Sequence, residues 1–310
     1  MTVLFTSGKP LDRAENIKAV YDAYDGPKEY IQVNPWLPNP DLSSNRFSLR
    51  VTDEFISASP GKAIMIGHGI AGGKTYGLDQ PHPYHRKSNA ELLDYVITTS
   101  SAMVPLTAKQ SGVPDDRVLP LGMPRTDHYF GRRKGDGGTF LTGWRAYLYA
   151  PTFRTKEETP MPAIDWKMID SMLFDDEVLV VKPHMMTKHI LPGNYKHIIE
   201  VSSDIPSTPY LIDCDVLITD YSSIMFDAHI LGKPVVLFEK ATGYLATRGM
   251  YLDYPGMYAS RYCQDEEALV DMMRSADAPG EEDIACLRLT AEACDGHSSA
   301  RVVALIKELT

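Results

Sequence analysis

Short apolar runs alternate with stretches of helical periodicity along the chain, and that order predicts repeated β-α units. Thr2-Val3-Leu4-Phe5-Thr6 reads as a first strand ended by Ser7-Gly8, not as a secretory signal. Apolar positions from Ala14 to Tyr24 read as a helix closed by Gly26-Pro27. Tyr30 to Val33 reads as a strand, and residues 34–50, rich in Pro, Asn and Ser, read as a loop. Ala63-Ile64-Met65-Ile66 is an apolar run broken at Gly67-His68-Gly69, and further strands are predicted at 94–99 and 117–122. After a glycine-rich, charged segment from Gly131 to Gly143 the alternation restarts. Strands are predicted at 147–150, 178–181, 198–201, 216–219 and 234–238, with helices over 165–173 and from Ser222 to Leu231.

The pattern predicts an α/β fold of two successive Rossmann-like domains, 1–140 and 141–310, facing across a cleft. Ligands of open α/β sheets bind beyond the carboxyl ends of the strands, and here the unusual polar residues fall just after strands. The chain has 310 residues, 44% hydrophobic and 23% charged, which is ordinary globular composition. No apolar run approaches the roughly 18 residues of a membrane span. The four cysteines lie far apart with no Cys-x-x-Cys, which disfavours a disulfide framework or a cysteine zinc site and fits a reducing cytoplasm.

The net charge of −10 is unevenly spread. Residues 1–140 hold 16 Lys and Arg against 15 Asp and Glu, whereas residues 265–310 hold 4 against 11. The acidity is expected on solvated helix faces of the last segment, which leaves the rest free to present a positive surface to an anionic substrate. A broad basic face for duplex nucleic acid is not supported.

Three segments carry candidate chemistry. In Val216 to Asp227 a buried-type strand ends in Thr219-Asp220, and Ser222 reads as a helix N-cap followed by Ser223. A helix start with hydroxyls and unpaired N–H groups suits phosphate, although a plain capped helix gives the same pattern. Val180-Val181-Lys182-Pro183-His184 brings a lysine and a histidine to a strand end, which is either a phosphate contact or a surface turn. Gly67-His68-Gly69-Ile70-Ala71-Gly72 matches a dinucleotide pattern with Glu91 or Asp94 about 20 residues on, but it falls late in the domain instead of in the first β-α turn. The reading adopted is that the glycines let backbone approach a ligand while His68, with an unperturbed pKa of about 6.5, acts as general base. Arg154 and Arg125 follow strand ends and, with Lys182, would supply charge for a diphosphate without a metal. No H-E-x-x-H, carboxylate-rich metal cluster, Walker A or G-x-S-x-G pattern occurs.

Taken in order, several of these segments resemble one family, the CDP-glycerol glycerophosphotransferases of teichoic acid synthesis. Tyr149-Ala150-Pro151-Thr152-Phe153-Arg154 is similar to its Y-A-P-T-[WF]-R, Leu217 to Asp227 to its longest shared motif, and Gly122 to Asp127 to its G-x-P-R-x-D. Lys233-Pro234, Arg248 to Asp253 and Asp295 to Arg301 also fit, so the resemblance runs from about residue 61 to the C-terminus. It implies a GT-B fold and transfer of glycerol phosphate, or a related alditol phosphate, from a CDP-activated donor to an acceptor hydroxyl with release of CMP. It implies His68 and His184 as catalytic residues. Arg154, Lys182, Thr219, Asp220, Ser222 and Ser223 would line the donor diphosphate pocket, and Gly69, Lys74 and Arg125 are candidate acceptor or phosphate contacts. No cofactor or metal is expected.

The expected partners are the nucleotide-activated donor and a polyol phosphate or glycan acceptor, free or lipid-linked, with a cytoplasmic location that could include the inner face of the membrane. Where the family has Trp before His-Gly and T-P-L-K after it, this chain has Gly67 and then Ile70-Ala71-Gly72-Gly73-Lys74, one residue longer. That departure lies in the half that faces the acceptor in such folds. The alternatives are a GT-B glycosyltransferase using a nucleotide sugar on a glycan or modified nucleic-acid base, a non-catalytic nucleotide-binding module, and, last, a dinucleotide oxidoreductase.

Overall fold

The computed structural model describes residues 2–33, 47–53, 61–67, 92–154, 162–185, 187, 189–240, 244 and 252–310. They form two compact units, one of residues 1–130 with 288–310 and one of residues 131–287.

The first unit is built on a six-stranded parallel sheet of β1 (Thr2–Ser7), β2 (Lys28–Gln32), β3 (Phe47–Thr52), β4 (Lys62–Met65), β5 (Tyr95–Thr98) and β6 (Val118–Pro120), in the order β2-β1-β3-β4-β5-β6. Strands β1, β4 and β5 carry short apolar runs because both faces of a parallel sheet are covered. Helix α1 (Glu15–Ala23) buries Ile17 and Val20, and α2 (Val104–Ser111) ends at Gly112, whose φ of 73° is the left-handed conformation glycine adopts without strain.

Strand β3 falls partly inside the segment that the sequence reads as loop. Polar Ser48, Arg50 and Thr52 interrupt its apolar pattern, yet Arg50 is buried, with its Nε donating to the Thr6 hydroxyl at 2.9 Å. Burial holds that guanidinium's pKa down at about 10.

The second unit repeats the plan with β7 (Arg145–Tyr149), β8 (Glu177–Val181), β9 (Ile198–Glu200), β10 (Val216–Thr219), β11 (Val235–Phe238) and β12 (Tyr262–Cys263), in the order β12-β11-β10-β7-β8-β9, again all parallel. Helices α3 (Trp166–Met172), α4 (Thr208–Asp213), α5 (Ile224–Ile230), α6 (Tyr254–Met257) and α7 (Glu266–Ser275) accompany these strands. Trp166, Ile169, Leu269, Val270 and Met273 pack with Tyr147, Leu179 and Ile218 into one apolar cluster. The chain runs outward from β7 through β8 to β9, then returns to β10 on the other side of β7. The carboxyl ends of β7 and β10 are therefore neighbours at the point where strand order reverses, the position where open α/β sheets take ligands.

Two boundaries differ from the sequence reading. The split falls at Phe130/Gly131, ten residues earlier than expected, because the glycine-rich segment is held by the second unit. The buried Asp213 carboxylate accepts N–H bonds from Gly135, Gly137 and Thr139 at 2.8–2.9 Å and the Thr139 hydroxyl at 2.7 Å. The last segment also leaves the second unit. Helix α8 (Glu281–Ala291) runs across the boundary, and α9 (Ser298–Leu309) belongs to the first unit. There Asp127 accepts from the Ser298 and Ser299 N–H groups at 2.9 and 2.7 Å, and Arg301 Nε donates to the Leu121 carbonyl at 2.9 Å. The apolar side of α9, with Val302 and Ile306 buried, is what draws it there.

Candidate functional site

The site candidates of the second unit gather on the two segments that leave β7 and β10. After β7 the chain passes through Ala150 and Pro151 to Thr152, Phe153 and Arg154; after β10 it passes to Asp220, Tyr221, Ser222 and Ser223. Asp220 is buried and joins the two. Its Oδ1 accepts the Thr152 N–H at 2.7 Å and the Tyr221 N–H at 2.6 Å, and its Oδ2 accepts from Nη2 of Arg154. Asp220 therefore orients Arg154, with its oxygens spent on protein donors.

Arg154 has a side chain only 3% exposed, so its cation is desolvated and must be compensated. Asp220 supplies one partner. The face of the Tyr244 ring, 4.5 Å from the guanidinium carbon, supplies another, and Tyr244 in turn stacks on Tyr221 at 5.0 Å and 5°. Nε and Nη1 of Arg154 have no hydrogen-bond partner among the described residues, and neither does the buried hydroxyl of Thr152, two residues earlier. Buried donors are nearly always paired. Nε and Nη1 of Arg154, and the Thr152 hydroxyl two residues away in sequence, are therefore buried polar groups with capacity to bond an anionic oxygen ligand. Nearby, burial raises the pKa of the Tyr149 phenol; the Asp220 charge adds to that and Arg154 opposes it, so Tyr149 stays neutral.

His184 is exposed and packs its ring against Phe153, with centroids 5.4 Å apart. The second predicted histidine thus flanks the Thr152–Arg154 segment. Lys182 is buried, and its ammonium donates to the carbonyls of Pro183 at 2.9 Å and Ser203 at 3.3 Å. Burial pushes its pKa down, opposed by the Asp204 charge. These bonds brace the loop that carries His184. Thr219 is fully buried and gives its hydroxyl to the Ala150 carbonyl at 2.7 Å, locking β10 to the end of β7. Ser222 is half-buried and Ser223 exposed. The N-cap of α5 is Ser223 instead of the expected Ser222, and its hydroxyl makes no capping bond. The first turn closes instead with i to i+3 bonds from Met225 and Phe226 to the Ser222 and Ser223 carbonyls.

In the first unit Arg125 lies in the turn Pro124–Tyr129, with its Nη1 donating to the Tyr129 hydroxyl at 3.0 Å. Gly67, with φ of 78°, ends the segment after β4. His68, Gly69 and Lys74 lie outside the described residues. Sequence reasoning passed over Thr152, although it stands inside the quoted Tyr149–Arg154 motif. It also missed Tyr244, for which no local pattern gives a signal.

Comparison with known proteins follows the same lines. The sequence profile of the family described as CDP-Glycerol:Poly(glycerophosphate) glycerophosphotransferase matches residues 43–308. The teichoic acid ribitol-phosphate polymerase TarL of Staphylococcus aureus is 26% identical over 263 residues, covering 78% of this chain and 47% of that protein. The teichoic acid glycerol-phosphate primase of Bacillus subtilis is 28% identical over 228 residues, covering 69% of this chain and 60% of that one. The chain thus spans about half the length of the curated relatives it matches.

Among solved structures, the wall teichoic acid polymerase TagF aligns with 99% of this chain and 89% of its own at a TM-score of 0.74 and 20% identity. The UDP-GlcNAc 2-epimerase of Methanocaldococcus jannaschii aligns with 99% of this chain and 100% of its own at a TM-score of 0.61 and 11% identity. At these identities the likeness is one of fold: two Rossmann-like units, the makeup of GT-B proteins.

Proposed function

The chain belongs to the CDP-glycerol:poly(glycerophosphate) glycerophosphotransferase family, and from that premise we propose that it transfers glycerol phosphate, or a related alditol phosphate, from a CDP-activated donor to an acceptor hydroxyl. The observation that carries the reading is that Nε and Nη1 of buried Arg154, and the hydroxyl of Thr152 two residues earlier, have no hydrogen-bond partner among the described residues, at the switch point of the second sheet. A diphosphate supplies the acceptor oxygens and negative charge that those donors lack.

In this reading the second unit holds the donor and the first faces the acceptor. The acceptor oxygen attacks the phosphorus bonded to the transferred alcohol. A new P–O bond forms, the bond to the CMP phosphate breaks, and CMP leaves with the electron pair. His68 takes the hydroxyl proton. Arg154, Thr152 and His184 hold the charge on the departing phosphate, and such preorganised donors stabilise charge without reorganising at the moment of reaction. Asp220 keeps Arg154 in place, and Lys182 keeps the His184 loop in place. The acceptor is a polyol phosphate of teichoic acid synthesis or a related polymer. Where that acceptor is lipid-linked, the protein works at the inner face of the membrane; no helix among the described residues is long and apolar enough to cross it.

The test is thermal stabilisation across CMP, CDP-glycerol, CDP-ribitol, UDP- and GDP-sugars and NAD, since a ligand that binds only the folded state raises Tm. A rise with CMP and the CDP-alditols alone is expected. A rise with UDP- or GDP-sugars instead would make the protein a nucleotide-sugar transferase on the same fold. Binding without turnover would make it a nucleotide-binding module.

A further inference from the structure

We infer that Glu200 is a positioning residue: its carboxylate, at the end of β9, closes the loop that carries His184 and so holds that histidine beside the Thr152–Arg154 segment. The inference rests on the proposed role of His184 at the departing phosphate.

Strand register puts Glu200 within reach of the loop. Val181, the last residue of β8, pairs with Glu200, the last residue of β9, and His184 follows three residues after Val181. Carboxylates are rarely buried unless paired, yet this side chain is only 15% exposed. Its oxygens go to the far end of the loop. Oε2 accepts the N–H groups of Ile190 and Leu191 at 2.7 and 2.8 Å, and Oε1 meets Nδ1 of His189 at 2.9 Å. The His189 side chain is 84% exposed, and a pair exposed on one side contributes little. The two backbone bonds carry the anchor, because an ionised carboxylate is a stronger acceptor than a neutral oxygen. Packing adds to it, since Ile190 and Leu191 lie against the apolar cluster of the second unit.

The root of the loop is held separately. The Val201 N–H donates to the Val181 carbonyl at 3.0 Å, so β8 and β9 stay paired up to the point where the loop begins. Lys182 then bonds the Pro183 and Ser203 carbonyls. Between the two anchors the Thr187 N–H donates to the His184 carbonyl at 2.7 Å and folds the chain back at the histidine, whose ring lies against Phe153. A short loop tied at both ends has few conformations open to it. Loss of the far tie should therefore loosen His184 while leaving Asp220 and Arg154 in place, because their bonds to each other and to Thr152 lie on other segments.

The test is Glu200→Ala, which removes both acceptor oxygens, and Glu200→Gln, which keeps one oxygen and the side chain's size, each alone and combined with His184→Ala. Amide exchange of residues 184–191 and CMP release from CDP-glycerol with a glycerol-phosphate-terminated acceptor are read, with Tm as the check on folding. In Glu200→Ala, exchange at 184–191 is expected to quicken at least about tenfold while β10 keeps its protection. Turnover should fall about tenfold with KM for CDP-glycerol within about twofold, which marks loss of a transition-state contact instead of donor binding. That fall should vanish in the His184→Ala background. Glu200→Gln should lie between the alanine variant and the wild type in both readouts, and it carries the comparison alone if the alanine variant does not fold. An equal fall in the His184→Ala background, or unchanged exchange at 184–191, overturns the positioning role. If His184→Ala itself leaves turnover intact, the reading of His184 fails, and the positioning role falls with it by that separate result.

Discussion

Arg154 and Asp220 form a buried ion pair, with side chains 3% and 2% exposed, and two neighbouring substitutions separate its structural duty from its proposed ligand duty. Asp220→Asn strips the charge that compensates a buried guanidinium and weakens the hold on it. It should destabilise the protein by about 3–5 kcal/mol in denaturant unfolding, the range for breaking a buried pair from one side. Thr152→Val should behave oppositely. The hydroxyl has no partner among the described residues, so replacing it costs the free protein nothing in hydrogen bonding and removes a desolvated polar atom. Unfolding free energy should hold or rise, while affinity for CDP-glycerol falls several-fold by calorimetry. A loss of stability with unchanged affinity would show that Thr152 is bonded within the protein and does not meet the ligand. The sequence made Arg154 and His184 visible because each follows a strand end in a motif. It could not separate Lys182 and Thr219 from them, since all four are polar residues at strand ends. Only the bonds to the Pro183, Ser203 and Ala150 carbonyls reveal that these two brace the backbone.

At the scale of elements, strand β8 opens with a buried carboxylate. Glu177 accepts from Arg274 on α7, from the Tyr147 hydroxyl at 2.7 Å and from the Phe174 N–H at 2.9 Å, so it ties β8, β7 and α7 together. Burial raises its pKa, but the Arg274, Phe174 and Tyr147 bonds outweigh that and hold it at about 2. A depressed carboxylate pKa contributes stability that is complete above the unfolded value of about 4.5 and is lost as pH falls through about 2. Glu177→Gln should therefore flatten the decline in unfolding free energy between pH 4.5 and 2; an unchanged decline would assign the acid sensitivity elsewhere. Asp213 does similar work for the glycine-rich segment. Asp213→Ala should cost about 3 kcal/mol by stranding donors that now share one carboxylate, and should speed amide exchange at residues 135–139. Elements with continuous apolar runs, such as β1, β8 and β10, were legible from sequence alone. Strand β3 was partly hidden because Arg50 and Thr52 break its pattern while remaining buried.

For the molecule as a whole, two Rossmann-like units follow from the alternation of strands and helices, but their borders do not. A glycine-rich stretch looks like a free connection until Asp213 is seen to bind it. The acidic C-terminal segment looks like an outer face of the second unit until α9 is seen to bury Val302 and Ile306 within the first. Deleting residues 288–310 should consequently unfold the first unit and spare the second. Exchange would quicken throughout β1 and β3–β6 while β7–β11 keep their protection. Loss of protection in the second unit instead would place α9 with the domain that the sequence first suggests.

Calorimetric titration of CDP-glycerol into the wild-type protein and Arg154→Lys probes the proposed donor site at the carboxyl ends of β7 and β10. Lysine keeps the charge facing Asp220 but cannot reproduce the donors on Nε and Nη1 of the guanidinium fork, which have no partner among the described residues. Binding by the wild type, silence with UDP-sugars, and affinity at least tenfold weaker in Arg154→Lys at a Tm within a few degrees are expected. Equal affinity in the two proteins, or binding of a UDP-sugar in place of CDP-glycerol, would contradict the proposed donor site.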